Sequence, residues 1–183
     1  MIEKNKIVDG YLVLEIQAGN KKAFAILVKR WHKRLCQQAY WYTKDKEVSK
    51  DLAQDSWTII LNKIMGLKDP NSFGSWALKI VTRKSIDWYR KHRKERNLKS
   101  SLSVSKSIEP EDVGKDTNRL LAFMHAAIGK LPMRQQEIIR LYYIEELSVG
   151  EISDVLEVPK GTVKSRLYTA REKLKNELKK QKT

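Results

Sequence analysis

Apolar positions along this chain recur at helical spacing, not at the alternation of strands. In the last fifth, Val163, Leu167, Ala170, Leu174 and Leu178 stand four, three, four and four residues apart, which predicts one helix from Lys160 onward with a single buried stripe. The opposite face carries Gly161, Thr162, Ser165, Tyr168 and Thr169, with Lys164 beside them. Upstream, Ser148 with Glu151 three residues on is a capping-box signature, which starts a short helix near Val149. Ile152 and Leu156 share one face of that helix, Val158 plugs the turn, and Pro159 pre-sets the next helix start. A short helix, a tight turn and a longer basic helix make a helix-turn-helix. Small polar donors and a cation at the exposed start of its second helix suit the DNA major groove. The plainer alternative is a helical hairpin with a solvated basic face, but cap, turn and spacing agree on the first reading. Glu157 departs from the Gly usual in such turns, which leaves the backbone there open.

The same periodicity predicts a short helix around Tyr11 to Ile16, ending near Gly19 and Asn20. A longer one follows with Phe24, Leu27, Val28, Trp31 and Leu35 in its core. The next, from about Lys46 to Met65, has Val48, Leu52, Ile59, Ile60 and Ile64 as its apolar set. Gly66 to Ser72 is punctuated by Gly, Asp-Pro and Asn and predicts a loop. From Phe73 to about Arg93 the pattern resumes, with Ala77, Ile80, Val81 and Trp88 on the inner face. Between Lys99 and about Asp116, serines, a Pro, a Gly and mixed charges replace the periodicity, as in a flexible linker. Beyond it Leu120, Phe123, Met124, Ala127 and Leu131 mark a helix that stops before Pro132, and Ile138, Leu141 and Tyr142 mark the next. No internal repeat and no strand-helix alternation is present. The expectation is an all-α chain of two small helical domains, residues 1–98 and 118–183, joined by a flexible linker over 99–117.

Apolar residues make up 41% of the 183, enough for a packed core. A single cysteine, Cys36, excludes an internal disulfide framework and fits a reducing compartment. No apolar run approaches the roughly 20 residues of a membrane span, and the N-terminus has no hydrophobic signal core, so the expected location is cytoplasmic. The net charge of +15 points to a polyanionic partner, most often nucleic acid. Its placement sharpens the point: eight cations between Arg83 and Lys99 face only Asp87 and Glu95, and nine from Lys160 onward face only Glu172 and Glu177. Two separated basic patches suggest two contacts with one long polyanion.

Two further surfaces stand out. Asp51, Gln54 and Asp55 lie outside most of their helix's apolar stripe, with Trp57 close by. An exposed acidic and aromatic patch on so basic a protein suits protein docking, although a solvated helix face explains it equally. Ser72, Lys79, Arg83, Arg90 and Lys94 share an outer stripe with Trp76 at its margin. Basic residues flanked by aromatics and fed by a polar loop suit single-stranded or opening DNA, where rings stack bases and cations hold phosphates. Trp76 and Trp88 also read as core. His32 and Cys36 stand four apart, but no second pair sits at ligand spacing and His92 and His125 are isolated, so neither a metal nor a cofactor is predicted.

These residues resemble the small alternative sigma factors of bacterial RNA polymerase, the extracytoplasmic-function group, over almost the whole chain from about Phe24 to Leu178. DLAQDSW (Asp51 to Trp57) resembles the segment that docks on the polymerase clamp. FGSWALKIVTRKSIDWYRK (Phe73 to Lys91) resembles the one that reads and melts the −10 promoter element. Leu131-Pro132, Gln136-Glu137 and Leu141 resemble the entry to the last domain, and GEISDVLEVPKGTVKSRLYTAREKL its promoter-binding motif. No single motif decides; their conjunction in the family's order is specific. Lys84 stands where the family usually carries Asn.

The resemblance implies a non-enzymatic protein that binds RNA polymerase core and recognises promoter DNA, held in many relatives by an anti-sigma factor. At the −35 element it implies Lys160, Gly161, Thr162, Lys164, Ser165 and Tyr168 at base edges or phosphates, with Arg166 and Arg171 at phosphates or in local pairs. At the −10 element it implies a loop from Lys68 through Asn71 to Ser72 that receives an unstacked base. Trp76, Lys79, Arg83, Lys84 and Arg90 would accompany that loop. Asp51, Gln54, Asp55 and Trp57 would face polymerase. Two rivals remain: a helix-turn-helix regulator acting on duplex DNA without polymerase, and a DNA-processing enzyme such as a recombinase. The second lacks a visible nucleophile or acid-base cluster.

Overall fold

The first helix is longer than its apolar spacing predicts. In a computed structural model, which describes residues 2–99 and 123–181, α1 spans Ile2–Gln17. Its inward residues are Asp9, Leu12, Val13 and Ile16, while Ile7, Val8, Tyr11 and Leu14 stay exposed and blur the stripe. The Asn20 side chain caps α2 (Lys21–Thr43) by accepting from the Lys22 amide. This helix ends at Lys44 in a left-handed conformation, φ 54°, with its amide on the Tyr40 carbonyl at 2.8 Å. Asp45 then caps α3 (Lys46–Lys63), its Oδ1 accepting from Glu47 and Val48. Short 3-10 turns at Ile64–Gly66 and Pro70–Ser72 take the place of the expected loop, and α4 runs Phe73–Lys99.

In this first unit α2 is the central helix, packed by α1, α3 and α4. Its buried face is Ala23, Leu27, Trp31, Leu35, Gln38, Ala39 and Tyr42, so Phe24 and Val28, expected in the core, sit at its margin. The α3 face that packs inward is also rotated from the expected one: Ser49, Ala53, Ser56, Trp57 and Ile60 are buried, while Val48, Leu52 and Ile59 are half-buried. Small residues there let the helix backbones approach closely. On α4 the buried set is Phe73, Ala77, Leu78, Val81, Thr82 and Ser85. Ile80 and Trp88, expected inside, are half-buried, and Trp88 stacks on His92 with ring centroids 4.4 Å apart. Two buried polar contacts tie the helices together: Gln38 Nε2 donates to Thr82 Oγ1 at 2.9 Å, and Trp31 Nε1 to Asp9 Oδ2 at 3.0 Å. The buried Trp57 Nε1, by contrast, has no hydrogen-bond partner among the described residues.

The chain divides into two compact units at Lys99 and Ser100, Asp154–Leu156 excepted. The expected linker lies outside the described residues apart from Lys99, as does Leu120. Asp154–Leu156 aside, the second unit contains α5 over 123–129, α6 (Met133–Ile139), a π-helical turn at Arg140–Ile144, α7 (Val149–Leu156) and α8 (Lys160–Gln181). The π turn is closed by a buried ion pair, Arg140 to Glu145 at 3.1 Å. Ala127, Leu131, Ile138, Ile139, Leu141 and Leu147 are buried, and α6 packs on α8. Among the described residues every regular element is helical, and no helix is long and apolar enough to cross a membrane.

Candidate nucleic-acid interface

Both halves of the capping box are formed at the start of α7: Ser148 Oγ accepts from the Glu151 amide, and Glu151 Oε2 accepts from the Ser148 amide at 2.8 Å. Glu157 ends α7 in the left-handed region, φ 54° and ψ 46°, the conformation such a turn requires. Its neighbour Val158 is fastened by its carbonyl, which accepts from Ser153 Oγ at 2.7 Å. α8 buries Val163, Leu167, Ala170 and Leu174, which turns Gly161, Lys164, Ser165, Tyr168 and Thr169 to solvent. Tyr168 is 69% exposed. Lys160 is exposed, and Thr162 and Arg166 are half-buried at the edges of the face.

Arg171 is engaged within the unit. Its Nε donates to Tyr143 Oη at 2.9 Å, and its guanidinium lies over the Tyr142 and Tyr143 rings, 5.0 and 5.5 Å from their centroids. Those tyrosines belong to the π turn, and sequence reasoning assigned Tyr143 no role. A contact spanning 28 residues leaves no local signal.

In the first unit, the segment between α3 and α4 is internally braced. Asp69 Oδ1 accepts from the Asn71 amide, Ser72 Oγ donates to the Asp69 carbonyl at 2.6 Å, and Lys68 and Asn71 are exposed. Trp76 is half-buried, its ring tilted against Phe73 with centroids 6.1 Å apart. Arg83 and Arg90 point outward, Arg90 with Nη1 3.9 Å from Asp87; Lys79 is half-buried. Lys84 is not aimed at open solvent: its Nζ pairs with Asp55 Oδ2 at 2.8 Å.

Trp57 alone departs from the expected docking patch. Asp51, Gln54 and Asp55 are exposed as expected, but Trp57 is 8% exposed, with its ring edge-on to Phe24. It sits on the inward face of α3, four and eight residues on from the buried Ala53 and Ser49, with Ser56 and Ile60 beside it. The indole is therefore core and cannot present itself to a partner. His32 Nε2 lies 3.5 Å from Cys36 Sγ, and burial pushes the thiol up against the opposing pull of Lys50. Among the described residues no three ligating side chains converge on a metal site.

A family model described as Sigma-70 region 2 matches residues 27–95, and one described as Sigma-70, region 4 matches residues 124–174. RNA polymerase sigma factor SigV of Bacillus subtilis (strain 168) is 33% identical over 132 residues, covering 72% of this chain and 76% of the relative. ECF RNA polymerase sigma factor SigW of the same organism is 28% identical over 177 residues, covering 91% and 94%. Among solved structures, the sigma factor RpoE in complex with the anti-sigma factor NepR from Bartonella quintana has a TM-score of 0.67 at 22% identity, over 86% of this chain and 98% of that one. The last likeness is one of fold.

Proposed function

Because the chain belongs to the extracytoplasmic-function group of sigma-70 RNA polymerase sigma factors, we propose that its two helical units take the two promoter elements separately. Like its family, it binds RNA polymerase core and directs promoter-specific initiation. In our reading α8 enters the major groove at −35, with Lys160, Gly161, Thr162, Lys164, Ser165 and Tyr168 at base edges and phosphates. Arg166 and Arg171 flank them. The segment Lys68 to Ser72 receives an unstacked −10 base, and Trp76, Lys79, Arg83, Lys84 and Arg90 hold the separated strand. Asp51, Gln54 and Asp55 face polymerase.

The observation that carries the reading is the outward face of α8. A capped helix and a left-handed turn lead into it, and its four buried residues turn small polar groups, the cations Lys160 and Lys164 and the exposed ring of Tyr168 outward. Polar groups on a solvent face are ordinary, but small polar donors and cations at the exposed start of the second helix of a capped helix-turn-helix are what major-groove contact requires. At −10, unstacking a base costs a few kcal/mol, which phosphate contacts and ring stacking on the strand offset. The chain performs no chemistry in this scheme; nucleotidyl transfer belongs to the polymerase, and the site of action is the cytoplasm. An anti-sigma protein, the kind of partner named for the Bartonella structure, is the regulator we expect here.

Run-off transcription with purified bacterial core polymerase and a promoter library tests the reading. Promoter-selective transcripts that depend on this chain are expected. If it associates with duplex DNA but never with core enzyme, a regulator independent of polymerase is the right description.

A further inference from the structure

α1 is fastened to the segment between α3 and α4 by contacts that span some fifty residues of sequence. Gln17, its last residue, donates Nε2 to the Ile64 carbonyl at 2.9 Å and to the Leu67 carbonyl at 3.0 Å. One side-chain amide thereby holds both ends of the first 3-10 turn. Seven residues earlier, on the same face of α1, Gly10 lies against Asn71. A Cβ on Gly10 would overlap the Asn71 carboxamide and stand 3.4 Å from the Asn71 backbone nitrogen. The segment is thus gripped where it begins and where it ends. The region 2 match starts at residue 27, so α1 lies wholly outside it.

We propose that Gly10 and Gln17 are positioning residues for −10 recognition, holding the Lys68 to Ser72 segment in the shape that accepts an unstacked base. The inference rests on the −10 reading given above. Its physical basis is preorganisation. Fixing a residue's backbone costs roughly 1–2 kcal/mol. A segment already fixed by α1 bears that cost on folding, not on binding DNA, and so discriminates between bases more sharply. Gly10 supplies the second part. With no side chain it leaves room for the Asn71 carboxamide, whose Oδ1 lies where a Gly10 Cβ would stand, so any side chain at position 10 would turn that amide away.

The test uses the full chain with bacterial core polymerase and a promoter library randomised across the −10 and −35 elements, with transcripts sequenced. The variants are Gln17→Glu, which keeps the volume and loses both donors, Gly10→Ala, Asn71→Ala and the Gly10→Ala/Asn71→Ala double. Core affinity and thermal midpoint are measured for each. Gln17→Glu and Gly10→Ala should flatten the −10 base preference by roughly three- to tenfold, with −35 preference and core affinity held within about twofold. Gly10→Ala should add less than about twofold in the Asn71→Ala background, since the group it displaces is gone. If Asn71→Ala loses the −10 preference while Gln17→Glu and Gly10→Ala keep it, the positioning role is overturned and the −10 reading stands. If Asn71→Ala keeps the wild-type preference, the −10 reading falls and takes this inference with it. Equal losses at −10 and −35 would mark a general loss of folding and also overturn the proposal.

Discussion

Lys84 on α4 donates to the carboxylate of Asp55 on α3 across 2.8 Å, joining the helix we assign to DNA with the helix we assign to polymerase. The lysine side chain is 30% exposed and the carboxylate 61%, so water screens the pair and its worth is at most about 1 kcal/mol. Such a pair exchanges partners readily. A DNA phosphate offers the same lysine a charge-assisted bond, and Asp55 therefore competes with the strand for it. Asp55→Asn should steepen the salt dependence of single-strand binding by roughly 0.7 of a log unit per log unit of salt, with the thermal midpoint unchanged. Fluorescence anisotropy with a labelled single-stranded oligonucleotide over a salt series measures this. Identical slopes for the two proteins would remove Lys84 from the strand contacts.

Asp9 is 4% exposed and joins two groups of α2, accepting from Trp31 Nε1 at 3.0 Å and from Arg30 Nε at 2.8 Å. Asp9→Ala leaves the buried Trp31 indole N–H and the Arg30 Nε without their acceptor, while Arg30 Nη2 keeps Asn5 Oδ1 at 3.3 Å. The expected cost is about 2 to 3 kcal/mol, read as a lowered urea midpoint. A shift worth less than about 0.5 kcal/mol would mean that water replaces the carboxylate.

Much of the fold is legible in the sequence, and the exceptions have physical causes. Val163, Leu167, Ala170 and Leu174 are all buried, because α8 meets its unit along one side and hydrophobic periodicity follows that side directly. Over α3 and its C-cap the same periodicity points to Ile60 and Ile64, which are buried, but also to Val48, Leu52 and Ile59, which are half-buried, and it passes over Ser49, Ala53 and Ser56. Where helices cross closely the inward positions are small and sometimes polar, so they carry no hydrophobic signal, and Trp57 was assigned to the wrong side. The surroundings of Gln17, Asp9 and Tyr143 depend on partners 21 to 50 residues away. Only folding brings such partners together.

Gly74 makes a sharp case of close approach. A Cβ there would stand 2.6 Å from Cη2 and 2.9 Å from Cζ2 of the buried Trp31 indole. That ring is also held edge-on to Phe73 and hydrogen-bonded to Asp9, so it has nowhere to move. Gly74→Ala should destabilise by about 1 to 3 kcal/mol through overpacking. Gly66→Ala is the control, since nothing lies within 4 Å of its added methyl, and it should be neutral or slightly stabilising. Thermal melts of the two variants compare them directly; equal midpoints would mean that the indole yields.

Glu157 holds φ 54° and ψ 46° in the turn before α8, where Gly adopts the same backbone without penalty. Glu157→Gly should raise stability by about 1 kcal/mol, whereas Glu157→Ala keeps the Cβ strain and should not. Comparing the two variants separates backbone strain from loss of the carboxylate, which both share. Equal midpoints would show that strain at this turn is negligible.

Lys164 and Arg171 are both basic residues of α8, yet their surroundings predict opposite behaviour. Lys164 is exposed on the outward face, whereas Arg171 is bonded to Tyr143 and lies over two tyrosine rings. A lysine that touches only phosphate contributes counterion release and nothing to folding. Lys164→Ala should thus weaken −35 duplex binding by roughly 1 kcal/mol and reduce the salt slope by about 0.9, at unchanged thermal midpoint. Arg171→Ala removes a packed guanidinium and leaves Tyr143 without its partner, so it should lower the thermal midpoint as well. Lysine in its place restores the charge but not the planar stack or the fork of donors, and Arg171→Lys should recover the salt slope without recovering the midpoint. Titrations of −35 duplex at several salt concentrations, paired with melts, resolve the two roles. A Lys164→Ala protein that melts early, or an Arg171→Ala protein that melts with the wild type, would reverse this division of labour.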